Sequence, residues 1–272
     1  MAKKRRNASV AVGAAAVLTA IAAAPAGAAN GGVTYSGLSV NGGKPIVIGI
    51  QETVSVPVTY RMTTSRTWDW PPLFFLYRGK LANRDYDMLY SSFGSSDRTC
   101  PVEGTGRCEV EDGVLDIDPR YAIEGNGDAG TWKSAAQLSL PGGDSVFTDL
   151  NRSVQVQRAT RVTVNAAPEP VVKGKTITVT GKVSRANWEK HTYQGYGGRT
   201  VSLQFKADGA SSYTTVKKVT SGSTGALRTT VKATTSGTWR WKYYGNSTSG
   251  AKASTGDHVI VWSGVRIMHA AR

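Results

Sequence analysis

The feature that most constrains this chain is a recurring period of two. In residues 238–244, Trp239, Trp241 and Tyr243 fall on one side of an extended strand, and Arg240, Lys242 and Tyr244 on the other. The same alternation runs through residues 53–60, 161–164, 176–183 and 201–205. Shorter β-type runs occupy residues 46–48, 73–77, 114–117, 135–140, 153–156, 214–219, 227–231 and 257–262. Gly, Ser, Asn or Pro fills nearly every gap, as turns require. Beyond residue 28 no useful length of sequence shows the apolar spacing of an amphipathic helix, which argues against all-α and α/β folds. About seven short strands in roughly 100 residues is the pattern of an immunoglobulin-like sandwich. The expected fold class is therefore all-β, with two immunoglobulin-like β-sandwich domains at residues 29–158 and 159–262 and a C-terminal tail at 263–272. Sandwich cores need large inward side chains, so Trp239 and Trp241 are expected inside.

The N-terminus reads as a processing signal. Lys3, Lys4, Arg5 and Arg6 precede an apolar run over residues 8–24; Pro25 breaks it, and Ala26-Gly27-Ala28 supplies a small-x-small cleavage pattern. Residues 1–28 are expected to be a cleaved signal peptide. The run is shorter than the ~20 residues that span a bilayer, so stable membrane insertion is not expected and the product is secreted and extracellular.

Export makes a disulfide between Cys100 and Cys108, the only cysteines, the expected pairing. Closing that loop contributes roughly 2.6 kcal/mol on the chain-entropy account. With two Cys and three His, a Cys- or His-rich metal centre is excluded.

Charge divides the chain more sharply than hydrophobicity does. Residues 29–158 hold 12 Lys and Arg against 15 Asp and Glu, whereas residues 159–272 hold 17 against 4. Such an asymmetry predicts two domains with different electrostatic roles, the second attracting polyanions. For an exported protein, anionic cell-wall or surface glycopolymers are the expected partners, and nucleic acid is not. Arg185, Lys190, Arg199, Lys217, Lys218 and Lys242 are the candidate polyanion contacts. Residues 184–199 read as a long connection in which Trp188, Tyr193 and Tyr196, interleaved with cations, form a candidate ligand loop. The alternative is a loop whose aromatics seal one end of the sandwich.

The acids concentrate in residues 97–128. Asp116 and Asp118 share one strand face with Asp112, and Asp128 closes the Gly-rich stretch Glu124-Gly125-Asn126-Gly127-Asp128. Carboxylates and loop carbonyls suit Ca²⁺, so Asp112, Asp116, Asp118 and Asp128 are the candidate calcium ligands and Ca²⁺ the one candidate cofactor. The spacing departs from an EF-hand, because Gly130 falls one position late and Ala135 stands where the bidentate acid belongs. The other reading is a solvated acidic face, or one paired with the basic half.

Residues 164–181 (Val-Asn-Ala-Ala-Pro-Glu-Pro-Val-Val-Lys-Gly-Lys-Thr-Ile-Thr-Val-Thr-Gly) resemble a domain common in secreted proteins of streptomycete-type actinobacteria. Arg185-Ala186-Asn187-Trp188, Val201-Ser202-Leu203-Gln204-Phe205, Ser212-Tyr213-Thr214-Thr215-Val216 and Gly237-Thr238-Trp239-Arg240-Trp241 extend that resemblance. The first half, with Ile117-Asp118-Pro119-Arg120 and Asp128-Ala129-Gly130-Thr131-Trp132-Lys133, is similar to the usual N-terminal partner of that domain. The resemblance implies an exported, β-rich architecture. Some members carry a calcium-binding label, and the family supplies no catalytic residues.

No Gly-x-Ser-x-Gly elbow, His-Glu-x-x-His or His-x-x-Glu-His motif occurs, and the three His are isolated in sequence. Paired carboxylates such as Asp116 with Asp118 or Asp128 are all that a glycoside-hydrolase reading has to stand on. The expected function is a secreted, non-enzymatic binding module associating electrostatically with anionic glycopolymers. The alternatives are an exported calcium-binding protein and, third, a hydrolase. Oligomeric state is left open.

Overall fold

A computed structural model describes residues 28–90 and 103–264, the side chains of residues 28–30 and of Asp112 excepted. The first half carries β1 (Ala28–Asn30), β2 (Val33–Val40), β3 (Ile46–Ile48), β4 (Val54–Trp68), β5 (Trp70–Lys80), β6 (Asp85–Leu89), β7 (Gly104–Ile117), β8 (Gly130–Ser139) and β9 (Ser145–Arg158). The second carries β10 (Thr160–Ala167), β11 (Val171–Val172), β12 (Thr176–Asn187), β13 (Thr192–Gly195), β14 (Thr200–Ala207), β15 (Thr214–Thr220), β16 (Ala226–Lys232), β17 (Gly237–Tyr243), β18 (Lys252–Ala253), β19 (Asp257–Val259) and β20 (Val261–Trp262).

Both halves wind their strands in the same order. In the first, a β1-β2-β4-β7 sheet faces a β3-β9-β8-β5-β6 sheet. In the second, β12 pairs with β10 on one edge and with β16 and β13 on the other, facing a sheet in which β15-β14-β17 continues to β18 and β19. Each half also adds one short parallel pairing between a short early strand and its last strand, β3 with β9 and β11 with β20. Antiparallel sheets facing across a core, with a final strand taking a parallel partner, are two immunoglobulin-like sandwiches in tandem. Residues 1–27, the bulk of the expected signal peptide, lie outside the described residues, and the cleavage expected after Ala28 falls at the first residue of β1.

Alternation places the cores where the sequence predicts them. Val56, Val58, Met62, Leu76, Leu115, Ile117, Trp132 and Leu138 fill the first. Ile177, Val179, Val201, Leu203, Leu227, Trp239 and Trp241 fill the second. Gly181 is required there: a Cβ would run into the Thr163 carbonyl and lie 2.7 Å from the Trp241 indole, which donates its N–H to the Thr180 carbonyl at 3.0 Å. Cys108 is buried on β7 and is disulfide-bonded; Cys100 lies outside the described residues.

The connection expected over residues 184–199 is instead largely sheet. β12 runs through Asn187, turns, and returns as β13, which pairs Ser184 with Gly195 and Asn187 with Thr192. This hairpin is the clasp between the halves. Trp188, 2% exposed, packs into the first core together with Ala186, and Tyr193 packs against it. The Trp188 indole donates to the Gly49 carbonyl at 2.7 Å. At the chain crossing, Arg158 donates from its backbone to Thr248 O at 3.1 Å and from Nε to Ala186 O at 2.6 Å, and Gly250 N–H donates to Arg158 O at 3.0 Å. The two sandwiches are fastened by apolar burial and by hydrogen bonds directed from both sides.

Candidate functional site

The outward face of the β15-β14-β17 sheet gathers cations and tyrosines. Register sets Ser202, Gln204 and Lys206 of β14 beside Lys242, Arg240 and Thr238 of β17. Across a bulge, Lys218 and Thr215 of β15 stand opposite Ser202 and Gln204. Because Val201, Leu203, Trp239, Trp241 and Tyr243 face the core, these partners must face out. Arg240 Nε donates to Gln204 Oε1 at 2.9 Å, and its guanidinium lies 3.6 Å from the Tyr213 ring centroid. Lys206 Nζ lies 5.4 Å from the same ring, and Lys242 Nζ 4.8 Å from that of exposed Tyr244. At one end of the face a groove of about 620 Å³ is lined by Arg199, Ser202, Thr215, Lys218, Tyr244 and Asn246, among others.

Among the described residues these charges have no carboxylate partners. Among the described residues the ion pairs are Arg61–Glu109, Arg78–Asp128, Arg107–Glu109, Arg120–Asp118 and His258–Asp208. None of them includes a Lys or Arg beyond residue 158. Three of the four acids of the second half are otherwise engaged: Asp208 with His258, Asp257 with the Ala166 N–H at 2.5 Å, and Glu189 with the Asn126 N–H at 3.2 Å.

The structure divides the predicted contacts. Arg199, Lys218 and Lys242 come to this face. Lys217, next to Lys218 on an edge strand, takes the opposite side of the pleat. Lys190 is exposed at the β12–β13 turn, beside the junction. Arg185 is turned inward; it donates to Tyr196 Oη at 3.1 Å and Ser249 Oγ at 3.0 Å, with its guanidinium 4.0 Å from the Tyr196 ring.

The ligand-loop reading of Trp188, Tyr193 and Tyr196 is corrected by burial. Trp188 is core, Tyr193 is half-buried beneath Arg161 at 3.7 Å, and Tyr196 is 9% exposed. Burial raises the Tyr196 phenol, but hydrogen bonds from Ser249 and Asn246 outweigh it and hold the group below its usual value. The other sheet also carries outward cations, Arg161, Lys182, Arg228 and Lys232, among threonines. The β15-β14-β17 face differs in setting three cations beside two tyrosines, Tyr213 and Tyr244, where the other sheet sets Arg161 over a Tyr193 that packs against the first core.

Three of the four candidate calcium ligands have other partners in the fold. Asp116 accepts from Ser55 Oγ at 2.6 Å. Arg120 donates to both oxygens of Asp118, at 2.9 and 2.6 Å, and these hydrogen bonds hold its carboxyl down to about 2. Asp128 Oδ2 accepts the backbone N–H groups of Glu124 and Gly125. Asp112 has no described side chain. Among the described residues no three His, Cys, Asp or Glu side chains come together around a metal position. The stretch 124–128 has another role: Asn126 Oδ1 accepts the Trp188 N–H at 3.1 Å, and its Nδ2 donates to Asn187 Oδ1 at 3.1 Å. The loop that sequence spacing offers to a metal is part of the interdomain clasp. The same pairings occupy the carboxylates on which a hydrolase reading depends.

No protein-family model and no curated protein matches this chain. Among solved structures it is similar to the three N-terminal domains of the bacteriophage RB49 outer capsid protein Hoc, at 9% identity over 83% of this chain and 70% of that one, TM-score 0.29. It is likewise similar to the human OSCAR ligand-binding domain (13%, 82% and 96%, 0.25) and to the D00-D0 domain of Intimin (14%, 82% and 99%, 0.26). The immunoglobulin-like assignment rests on the strand order shared by the two sandwiches. Among the described residues no helix is long and apolar enough to cross a membrane.

Proposed function

We propose that this chain is an exported, non-enzymatic binding module whose second sandwich holds anionic cell-wall or surface glycopolymers. The observation that carries the reading is the β15-β14-β17 face, where Lys206, Lys218, Arg240 and Lys242 stand beside Tyr213 and Tyr244 without ion-pair partners among the described residues. An exposed charge contact contributes no more than about 1 kcal/mol, so a single phosphate or carboxylate is held weakly. A polymer that repeats the anion engages several cations at once, and each later contact forms at high effective concentration. The tyrosines offer flat apolar surface to the sugar or polyol between charges.

The test is retention of the full chain on immobilised poly(glycerol phosphate), with neutral dextran as control, under rising sodium chloride. Retention should vanish as screening shortens the reach of each charge from about 8 Å at 0.15 M salt to about 3 Å at 1 M. Replacing Lys206, Lys218 and Lys242 together by Gln should abolish it at physiological salt. Retention indifferent to salt or to the triple substitution refutes the proposal.

A further inference from the structure

A second cationic groove lies on the half whose net charge is negative. Alternation predicts a polar outer side for a sandwich sheet, yet β5 is apolar on both faces. Leu76 faces the core, while Phe75 and Tyr77 point outward into a separate cluster with Ala135, Tyr86 and Phe147. Phe75 stacks on Tyr86 at 5.8 Å and meets Phe147 edge-on at 6.4 Å. Beside this cluster opens a groove of about 960 Å³, lined in part by Tyr77, Lys80, Arg84, Lys133, Phe147 and Asp149.

Three of the half's cations that form no ion pair among the described residues meet here; Lys44 and Arg152, also without one, line a different groove. Arg61, Arg78, Arg107 and Arg120 are each matched to a carboxylate, whereas Lys80, Arg84 and Lys133 form no ion pair among the described residues and all three rim this groove. Lys133 Nζ stands 5.9 Å from the Tyr77 ring and the Arg84 guanidinium 4.8 Å from the Phe147 ring. Asp149, the carboxylate of the groove, is held in place by the Tyr77 hydroxyl at 2.6 Å and the Asn151 N–H at 2.8 Å. Counting charge by halves hides this site, because the acids of the half, 15 against 12 Lys and Arg, outweigh its three cations in the sum.

We propose that this groove binds an acidic saccharide, with its carboxylate or phosphate on Lys80, Arg84 and Lys133. Tyr77 is buried, so Phe147, half-buried in the lining, is the ring that meets the sugar, and the fixed Asp149 carboxylate accepts a sugar hydroxyl. An oily ligand would not use the cations or Asp149, and a bare anion would use neither Phe147 nor Asp149. This site is independent of the polymer-binding face of the second sandwich.

The test titrates the full chain by calorimetry with tetragalacturonate, with maltotetraose as the neutral control and inorganic phosphate as the bare anion. The variant combines Lys80→Gln, Lys133→Gln and Arg84→Asn; Asn tolerates the left-handed backbone that Arg84 adopts (φ 57°). Saturable binding of tetragalacturonate, weakened at least about tenfold in the variant, is expected. The variant's retention on poly(glycerol phosphate) should stay as in the parent. Conversely, the Lys206, Lys218 and Lys242 substitutions should leave tetragalacturonate binding intact, so either proposal can fail alone. Equal binding by parent and variant, equal affinity for maltotetraose or phosphate, or no saturable binding overturns the inference.

Discussion

Replacing Trp188 by Ala tests the claim that the sandwiches form one fastened unit. The side chain is carried by the second half but lies 2% exposed in the core of the first, with its indole N–H on the Gly49 carbonyl at 2.7 Å. Truncating a buried Trp costs about 3–5 kcal/mol. Here that loss falls on the docking contact and the first core, because the second core around Trp239 and Trp241 is untouched. For a chain of this size each 1 kcal/mol moves the midpoint by about 2–4 °C, so the first transition should fall by about 6–20 °C. Differential scanning calorimetry should show one cooperative transition in the parent and two in the variant, the later one near the parent midpoint. Limited proteolysis should newly cut near Ala159. Trp188→Phe keeps most of the volume and loses the indole donor, and should cost nearer 1–2 kcal/mol. An unsplit transition within 2 °C of the parent would refute the clasp.

Other consequences are equally direct. Trp239, 4.5 Å from the Phe205 ring centroid in the second core, should cost about 3–5 kcal/mol when changed to Ala; unchanged urea stability with lost binding would mean an exposed platform instead. Burial raises the phenols of Tyr35, Tyr77 and Tyr243, with Asp149 adding to the effect at Tyr77. Their contribution to stability is complete below pH ~10, where unfolded tyrosines ionise, and is lost as pH climbs through the raised folded values. In an absorbance titration at 295 nm these three of the 11 tyrosines should ionise only on unfolding, and free titration of all of them contradicts the burial. Pairing of Cys100 with Cys108, which we propose, predicts no reactive thiol in denatured, unreduced protein; two thiols would exclude the bond.

Much of the fold was legible because alternation is a local signal. Trp239 and Trp241 fall inward and Arg240, Lys242 and Tyr244 outward, as the period of two requires. The clasp was not legible. Nothing within residues 184–199 says that Trp188 has its pocket in the other half, since its partners Gly49 and Asn126 are 139 and 62 positions away. The partners of the acidic stretch were not legible for a related reason: Asp118 and Asp128 stand in sequence without the Arg120 side-chain and backbone N–H contacts that they make in the fold. Net charge correctly marked the second half as cationic, but not which face mattered. It concealed Lys80, Arg84 and Lys133, whose grouping depends on the β5–β6 turn closing over the β8–β9 pair.

Amide chemical-shift mapping with a short glycerol-phosphate oligomer bears most directly on the central claim. Shifts should concentrate in residues 200–207, 214–220 and 237–244, with those of Lys206, Lys218, Arg240 and Lys242 among the largest, and should collapse on adding 1 M salt. Shifts centred on β10, β12 and β16 instead, or spread evenly over both sandwiches, would contradict a dedicated anion-holding face.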